Sequence, residues 1–299
     1  MHSTDENAMV KKIFLLVLFS FLYSCTSQPR EEWLKLKPYK IASLEKELKE
    51  ISGLFYLDSQ LYALNDGGNP AALYRLDPGQ GSVRSRVDIA EKNRDWEALT
   101  GDGRFLYIGD FGNNWGNRKD LKIYKVVPES GEILRSFSFD FEEQKEIRDL
   151  PHAHDFDMEA MVFDKRMLHL FTKEWKSLGT SRYELDPTME SGLQQTLKRK
   201  ERIELGYLVT DAAVHEETLY LIGYTKKMEV YLSVFQRDFR GNYFSLPYKK
   251  HYLGLASGLG QIESLTATEK GLYIAGERFT YKFLSAEPML YFVPFEKLR

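Results

Sequence analysis

Apolar and polar positions alternate with a period of two along most of the chain, in short runs cut by glycine, proline, asparagine and aspartate. The clearest run sets Phe137, Phe139 and Phe141 on one face against Ser136, Ser138 and Asp140 on the other, which predicts a half-buried strand and excludes a helix there. The runs come in sets of four. In the first set, strands are expected over 51–56, 60–65, 72–76 and 83–89, separated by the turn-forming stretches Asn65-Asp66-Gly67-Gly68-Asn69-Pro70 and Asp77-Pro78-Gly79-Gln80-Gly81. A second set follows over 97–100, 105–110, 121–127 and 134–141.

The sets are copies of one unit. Ile51-Ser52-Gly53-Leu54, Trp96-Glu97-Ala98-Leu99, Met158-Glu159-Ala160-Met161, Thr210-Asp211-Ala212-Ala213 and Ile262-Glu263-Ser264-Leu265 share a pattern, and each is followed by a leucine with a ring beside it: Leu61-Tyr62, Leu106-Tyr107, Leu168-His169, Leu219-Tyr220 and Leu272-Tyr273. The offset from Ser52, Glu97, Glu159 and Glu263 to that leucine is nine, and from Asp211 it is eight. A fixed offset of this kind marks a repeated supersecondary unit.

Five units of four short antiparallel strands predict an all-β chain, a five-bladed β-propeller. The key positions are spaced 45, 62, 52 and 52 residues apart, but only 36 residues follow Glu263, so the last unit is one strand short. The alternating segment 34–44, with Leu34, Leu36, Tyr39 and Ile41 apolar, supplies the missing strand and closes the ring from the N-terminal side, removing an exposed sheet edge. A six-bladed ring would need a blade inside 142–156, which is too short to hold one.

The chain of 299 residues carries 14% aromatic and 28% charged residues, as expected of a folded protein. Its net charge of -3, with no long basic run, gives no reason to expect a nucleic-acid partner. Lys11 and Lys12 precede an apolar run from Ile13 to Leu22, too short to span a bilayer and suited to the core of an export signal. Leu22-Tyr23-Ser24-Cys25 resembles the lipobox of bacterial lipoproteins, in which the cysteine is lipidated. Cys25 is the only cysteine, so no intrachain disulfide forms. The expected organisation is a signal peptide over 1–24, a lipidated Cys25 with a short tether over 25–33, and a propeller over 34–299. The expected location is the bacterial cell envelope, held to the membrane by a lipid anchor on its periplasmic or surface side, with the protein monomeric.

The first strand of each blade lines a propeller's channel, so Ser52, Glu97, Glu159, Asp211 and Glu263 are expected to converge. Two like charges about 4 Å apart at an effective dielectric near 20 repel by about 4 kcal/mol, so four carboxylates need a cation or raised pKa values. An all-oxygen donor set favours Ca2+. The alternative is internal neutralisation by Lys173 or Arg278, just past the second strands of their blades, or by backbone N–H groups of the next blade. Further ligand candidates are Asp66, the Gly- and Asn-rich loop with Asp110, Asn113, Asn114 and Arg118 around Trp115, and the pair His152 and His154. Asn and Gly also serve turn geometry alone, and short histidine pairs are commonly just solvated. No Gly-rich phosphate loop, nucleophile elbow or Cys–His zinc spacing is present.

Ile51-Ser52-Gly53-Leu54, Leu61-Tyr62 with Asn65-Asp66, Asp95-Trp96-Glu97-Ala98-Leu99 and Asp157-Met158-Glu159-Ala160-Met161 resemble the SdiA-regulated family of bacterial envelope propellers, distantly similar to NHL-repeat proteins, over 51–279. The resemblance implies five blades and bound calcium, with no established activity. A weaker likeness to the calcium-activated nucleotidases matches Ser52, Glu97, Glu159 and Glu263 to ion-binding positions, and Asp211 departs from the glutamate of the other blades. Two functions follow: a calcium-stabilised module binding a small molecule, glycan or protein, or a calcium-dependent hydrolase of phosphoesters or lactone-type substrates at the channel mouth.

Overall fold

The computed structural model describes residues 30–145, 150–190 and 192–298. The export signal, Cys25 and the tether to residue 29 lie outside the described residues. Among the described residues no helix is long and apolar enough to cross a membrane.

Five sheets radiate from a common axis. Blade one is Ile51–Leu57, Gln60–Asn65, Ala72–Leu76 and Val83–Asp88, each strand antiparallel to the one before. Blade two is Trp96–Gly101, Leu106–Asp110, Lys122–Val126 and Ile133–Phe141, and blade three is Asp157–Asp164, Met167–Lys173, Gly179–Leu185 and Glu201–Glu204. Blade four is Leu208–His215, Thr218–Tyr224, Glu229–Gln236 and Lys249–Leu255. Blade five takes Gln261–Ala267, Gly271–Glu277 and Met289–Pro294 from the C-terminal end. Its fourth strand is Lys40–Ser43, antiparallel to Met289–Pro294 with Ser43 opposite Met289, so the N-terminal side closes the ring as expected.

The architecture adds three pieces that the alternation did not reveal. Arg30–Trp33 joins blade four as a fifth, parallel strand, with Trp33 opposite Tyr252. Gln194–Leu197 turns back to pair in parallel with Ile133–Phe141 of blade two. A hairpin of Phe279–Tyr281 and Leu284–Ala286 stands between the second and third strands of blade five. The residues of 142–156 that are described hold no strand, so they form a connection and not a sixth blade.

Twisted sheets bury their faces against each other, and each blade interface has its own apolar filling. Phe137, Phe139 and Phe141, facing inward as the alternation requires, pack with Tyr107, Phe111, Met158 and Tyr183 between blades two and three. Leu36, fully buried, sits between blades four and five and locks the closing segment in place. Inner strands leave one face of the ring and third strands do likewise, whereas second and fourth strands run back toward it. Arg30, opposite Lys249 at the start of a fourth strand, therefore lies on the face remote from the starts of the inner strands.

Candidate functional site

Each inner strand carries a bulge near its start, between Ile51 and Gly53, Trp96 and Ala98, Met158 and Ala160, Val209 and Asp211, and Ile262 and Ser264. A bulge inserts one residue with no ladder partner and re-aims its side chain. The extra residues are Ser52, Glu97, Glu159, Thr210 and Glu263. The equivalent position in blade four is thus Thr210, whose offset to Leu219 is nine like the rest, and not Asp211. Asp211 is fully buried and takes N–H bonds from Ala212 at 2.8 Å and, across the blade boundary, from Leu265 at 2.5 Å. Ser52 and Thr210 play a matching part: Ser52 Oγ donates to the Trp96 carbonyl at 2.7 Å and Thr210 Oγ1 to the Ile262 carbonyl at 2.8 Å, each reaching the next blade's inner strand.

Ser52, Glu97, Glu159 and Glu263 do line one cavity, of about 180 Å³, at the axis. A second tier comes from the ends of the second strands: Lys173, Tyr224 and Glu277 are their last residues and Asp66 the first beyond, with Asn114, Trp175 and Gln261 completing the wall. Five carboxylates and one lysine therefore share the space. Lys173 Nζ lies 3.2 Å from Glu159 Oε2 and faces the rings of Trp175 and Tyr224 at 5.0 and 5.6 Å. Glu263 Oε1 accepts from Gln261 Nε2 at 2.7 Å and from the Tyr224 hydroxyl at 3.1 Å. Glu97, 6% exposed, receives no hydrogen bond or ion pair from the described residues. Glu159 Oε1 is buried without a partner. Arg278 is not part of the wall.

Burial sets the protonation of these groups. It pushes Glu97 well above the usual carboxylate range, with Glu159, Asp66 and Asp95 adding repulsion. Glu159 is raised by burial too, against the pull of Lys173. Asp66 is pushed up to about 6, Asp95 to about 7 and Glu277 to about 9, in each case first by burial and then by neighbouring acids. Burial drags Lys173 down, but Glu159, Tyr224 and Glu263 more than offset it and hold it charged.

Asp95 is a residue the sequence reading did not single out as a ligand. It precedes Glu97 by two, and one oxygen each of Asp66, Asp95 and Glu97 lie within 4.8 Å of one another. The signal was the spacing Asp95-x-Glu97, repeated as Asp157-x-Glu159 and Gln261-x-Glu263. Asp157 is spent structurally, accepting from Asn113 N at 2.6 Å and Trp175 Nε1 at 2.7 Å.

The other candidates divide. Asp66 and Asn114 reach the cavity, whereas Asp110 and Arg118 pair at 2.9 Å and Arg118 also holds Asp120 and the Gly112 carbonyl. Asn113 Oδ1 accepts from Arg118 N at 2.9 Å. Loop 111–120 is thereby built on its own polar side chains. His152 stacks on Trp175 at 3.9 Å, while His154 takes the Phe156 N–H on Nδ1 and turns Nε2 to the Asn114 carbonyl at 3.2 Å. The two imidazoles serve different partners. At the opposite end of the axis lies an apolar pit of about 150 Å³ walled by Phe55, Leu99, Val162, Phe163, Ala213 and Leu265.

No family model and no curated protein matches the chain. Among solved structures, the crystal structure of the computationally designed Ika4 protein is 13% identical, covering 72% of this chain and 98% of that one, with a TM-score of 0.34. The designed Ika8 protein is 11% identical, covering 85% of this chain and 100% of that one, with a TM-score of 0.36.

Proposed function

We propose that the chain is an envelope-anchored binding module of the SdiA-regulated type, lipidated at Cys25, whose acidic channel mouth takes a calcium-type cation. The observation that carries this reading is the imbalance of the mouth: five carboxylates against one lysine, with Glu97 a buried residue that has no donor among the described residues and Glu159 Oε1 buried without a partner. Leaving such groups without a counter-charge costs several kcal/mol each, about what a bound cation offsets. The donors are all oxygens, which suits a hard cation over zinc. When bound, such an ion supplies charge neutralisation across blades and an exposed coordination position for an oxygen ligand.

Size favours a binding module over a hydrolase. A cavity of about 180 Å³ accepts an ion with a few waters, whereas sites for organic ligands run to roughly 300–1,000 Å³. The test is direct. Calcium is expected in purified protein and is expected to raise its melting temperature after chelation. Glu97→Gln and Glu159→Gln should weaken that response while a screen of nucleotides, phytate, phosphodiesters and lactones shows no calcium-dependent turnover. Turnover abolished by the same two substitutions would replace this reading with the hydrolase one.

A further inference from the structure

We propose that the cation sits off the propeller axis, between blades one and two, on Asp66, Asp95 and Glu97, and that the Lys173 ammonium takes the place of an ion for the blade-three-to-five half of the mouth. This inference rests on the cation reading above and fixes where within the mouth the cation binds.

Most of the ring that symmetry offers is engaged within the protein. Thr210 and Asp211 are outside the cavity wall, Thr210 turned to the Ile262 carbonyl and Asp211 held by two backbone N–H groups, and Ser52, its proton given to the Trp96 carbonyl, offers the cavity only a neutral oxygen. Glu263 is held by Gln261 and Tyr224, and Glu159 Oε2 by Lys173. On that side Lys173 faces Glu159 and two donors hold Glu263, so one ammonium and two hydrogen bonds meet part of the charge, with Glu159 Oε1 still without a partner.

The other side is arranged differently. Asp66, Asp95 and Glu97 each offer an oxygen within 4.8 Å of the other two, and one ion at the usual calcium–oxygen distance of about 2.3–2.6 Å spans such a set. An acidic cluster alone does not make a site, but here Glu97 is more than nine-tenths buried, lines the cavity and has no donor among the described residues. The Arg118 guanidinium stands 4.0 Å from Asp95 and is committed to Asp110 and Asp120. Backbone also presses close. A Cβ at Gly112 would lie 2.5 Å from both Asp95 Oδ2 and Glu97 Oε1, and one at Gly67 would lie 2.9 Å from Asp95 Oδ1, so only glycine at these positions leaves the carboxylates room to converge.

The experiment is calorimetric titration of calcium chloride into chelator-stripped protein, repeated with Asp95→Asn, Gly112→Ala and Glu263→Gln. One calcium per chain is expected for the parent. Asp95→Asn and Gly112→Ala should weaken binding by about tenfold or more, and Glu263→Gln by less than about threefold. Melting in chelator guards against misfolding: Asp95→Asn removes a like charge and should melt no lower than the parent. Binding that survives Asp95→Asn but is lost in Glu263→Gln overturns the off-axis site and moves the ion to the axis. No binding to the parent protein overturns the cation reading itself.

Discussion

Lys173→Met removes the one lysine of the acidic mouth and tests whether that lysine holds it together. Its ammonium lies 3.2 Å from Glu159, and the two side chains are only 6% and 3% exposed, so solvent does not screen the loss. Breaking a buried ion pair by removing one partner costs about 3–5 kcal/mol, because the other charge is left uncompensated. At roughly 2–4 °C per kcal/mol for a domain of this class, the melting temperature should fall by roughly 6–20 °C. The assay is urea unfolding in excess chelator, followed by tryptophan fluorescence and extrapolated to water. The double variant Lys173→Met with Glu159→Gln should regain most of the loss, since the orphaned charge is gone. The deficit of the single variant should also depend on pH. Glu159 then has a folded pKa raised still further above its unfolded value of 4.5, so the deficit is smallest at pH well below 4.5, where the group is protonated in both states, and grows as pH rises through and above it. A single variant within about 1 kcal/mol of the parent, or a double variant no better than the single one, would show that Lys173 does not hold the mouth together.

Three other expectations follow from the same geometry. Asp211→Ala leaves the buried N–H groups of Ala212 and Leu265 without their acceptor and should cost about 2–5 kcal/mol in urea unfolding, with calcium affinity unchanged; a loss of calcium binding would return Asp211 to the site. The folded pKa values of Asp66, Asp95 and Glu277, about 6, 7 and 9, lie above their unfolded values, so the native state holds extra protons and metal-free stability should fall as pH rises from about 4 to 9. Calcium should flatten that slope and Asp95→Asn should make it shallower, and metal-free parent stability that rises with pH over this range would contradict it. Arg30 enters on the face remote from the acidic mouth, and the five residues from Cys25 to Arg30 reach at most about 18 Å. A fluorophore on Lys282→Cys, in the blade-five hairpin beside the mouth, should therefore escape quenching by labelled lipid in vesicles carrying the acylated protein, while one on Phe239→Cys is quenched; the reverse pattern would place the mouth against the membrane.

How far this was legible in the sequence depends on what holds each piece. The blades announce themselves because burial against a neighbouring blade forces strict alternation, as at Phe137, Phe139 and Phe141. The missing strand followed from counting residues after Glu263. Arg30–Trp33 and Gln194–Leu197 gave no such signal, because they dock through backbone hydrogen bonds at a blade's outer edge and, of Gln194–Leu197, only Leu197 is buried, too little for an alternation to form. The site was half legible. Convergence of Ser52, Glu97, Glu159 and Glu263 follows from ring symmetry, but the choice of Asp211 over Thr210 followed side-chain charge instead of the nine-residue offset. The bulge makes that one-residue difference decisive, turning Thr210 outward from the ladder and leaving Asp211 to the backbone. Asp95 escaped notice because its partner Asp66 lies on another blade, and nothing in linear order brings the two together.

Whether a divalent cation belongs in the acidic mouth is decided by an anomalous difference map from crystals grown in calcium. One peak bounded by carboxylate oxygens of the cavity, nearest Asp66, Asp95 and Glu97, is the expected result. A mouth without anomalous density, with Lys173 bridging Glu97 or Glu263 as well as Glu159, would contradict a cation there.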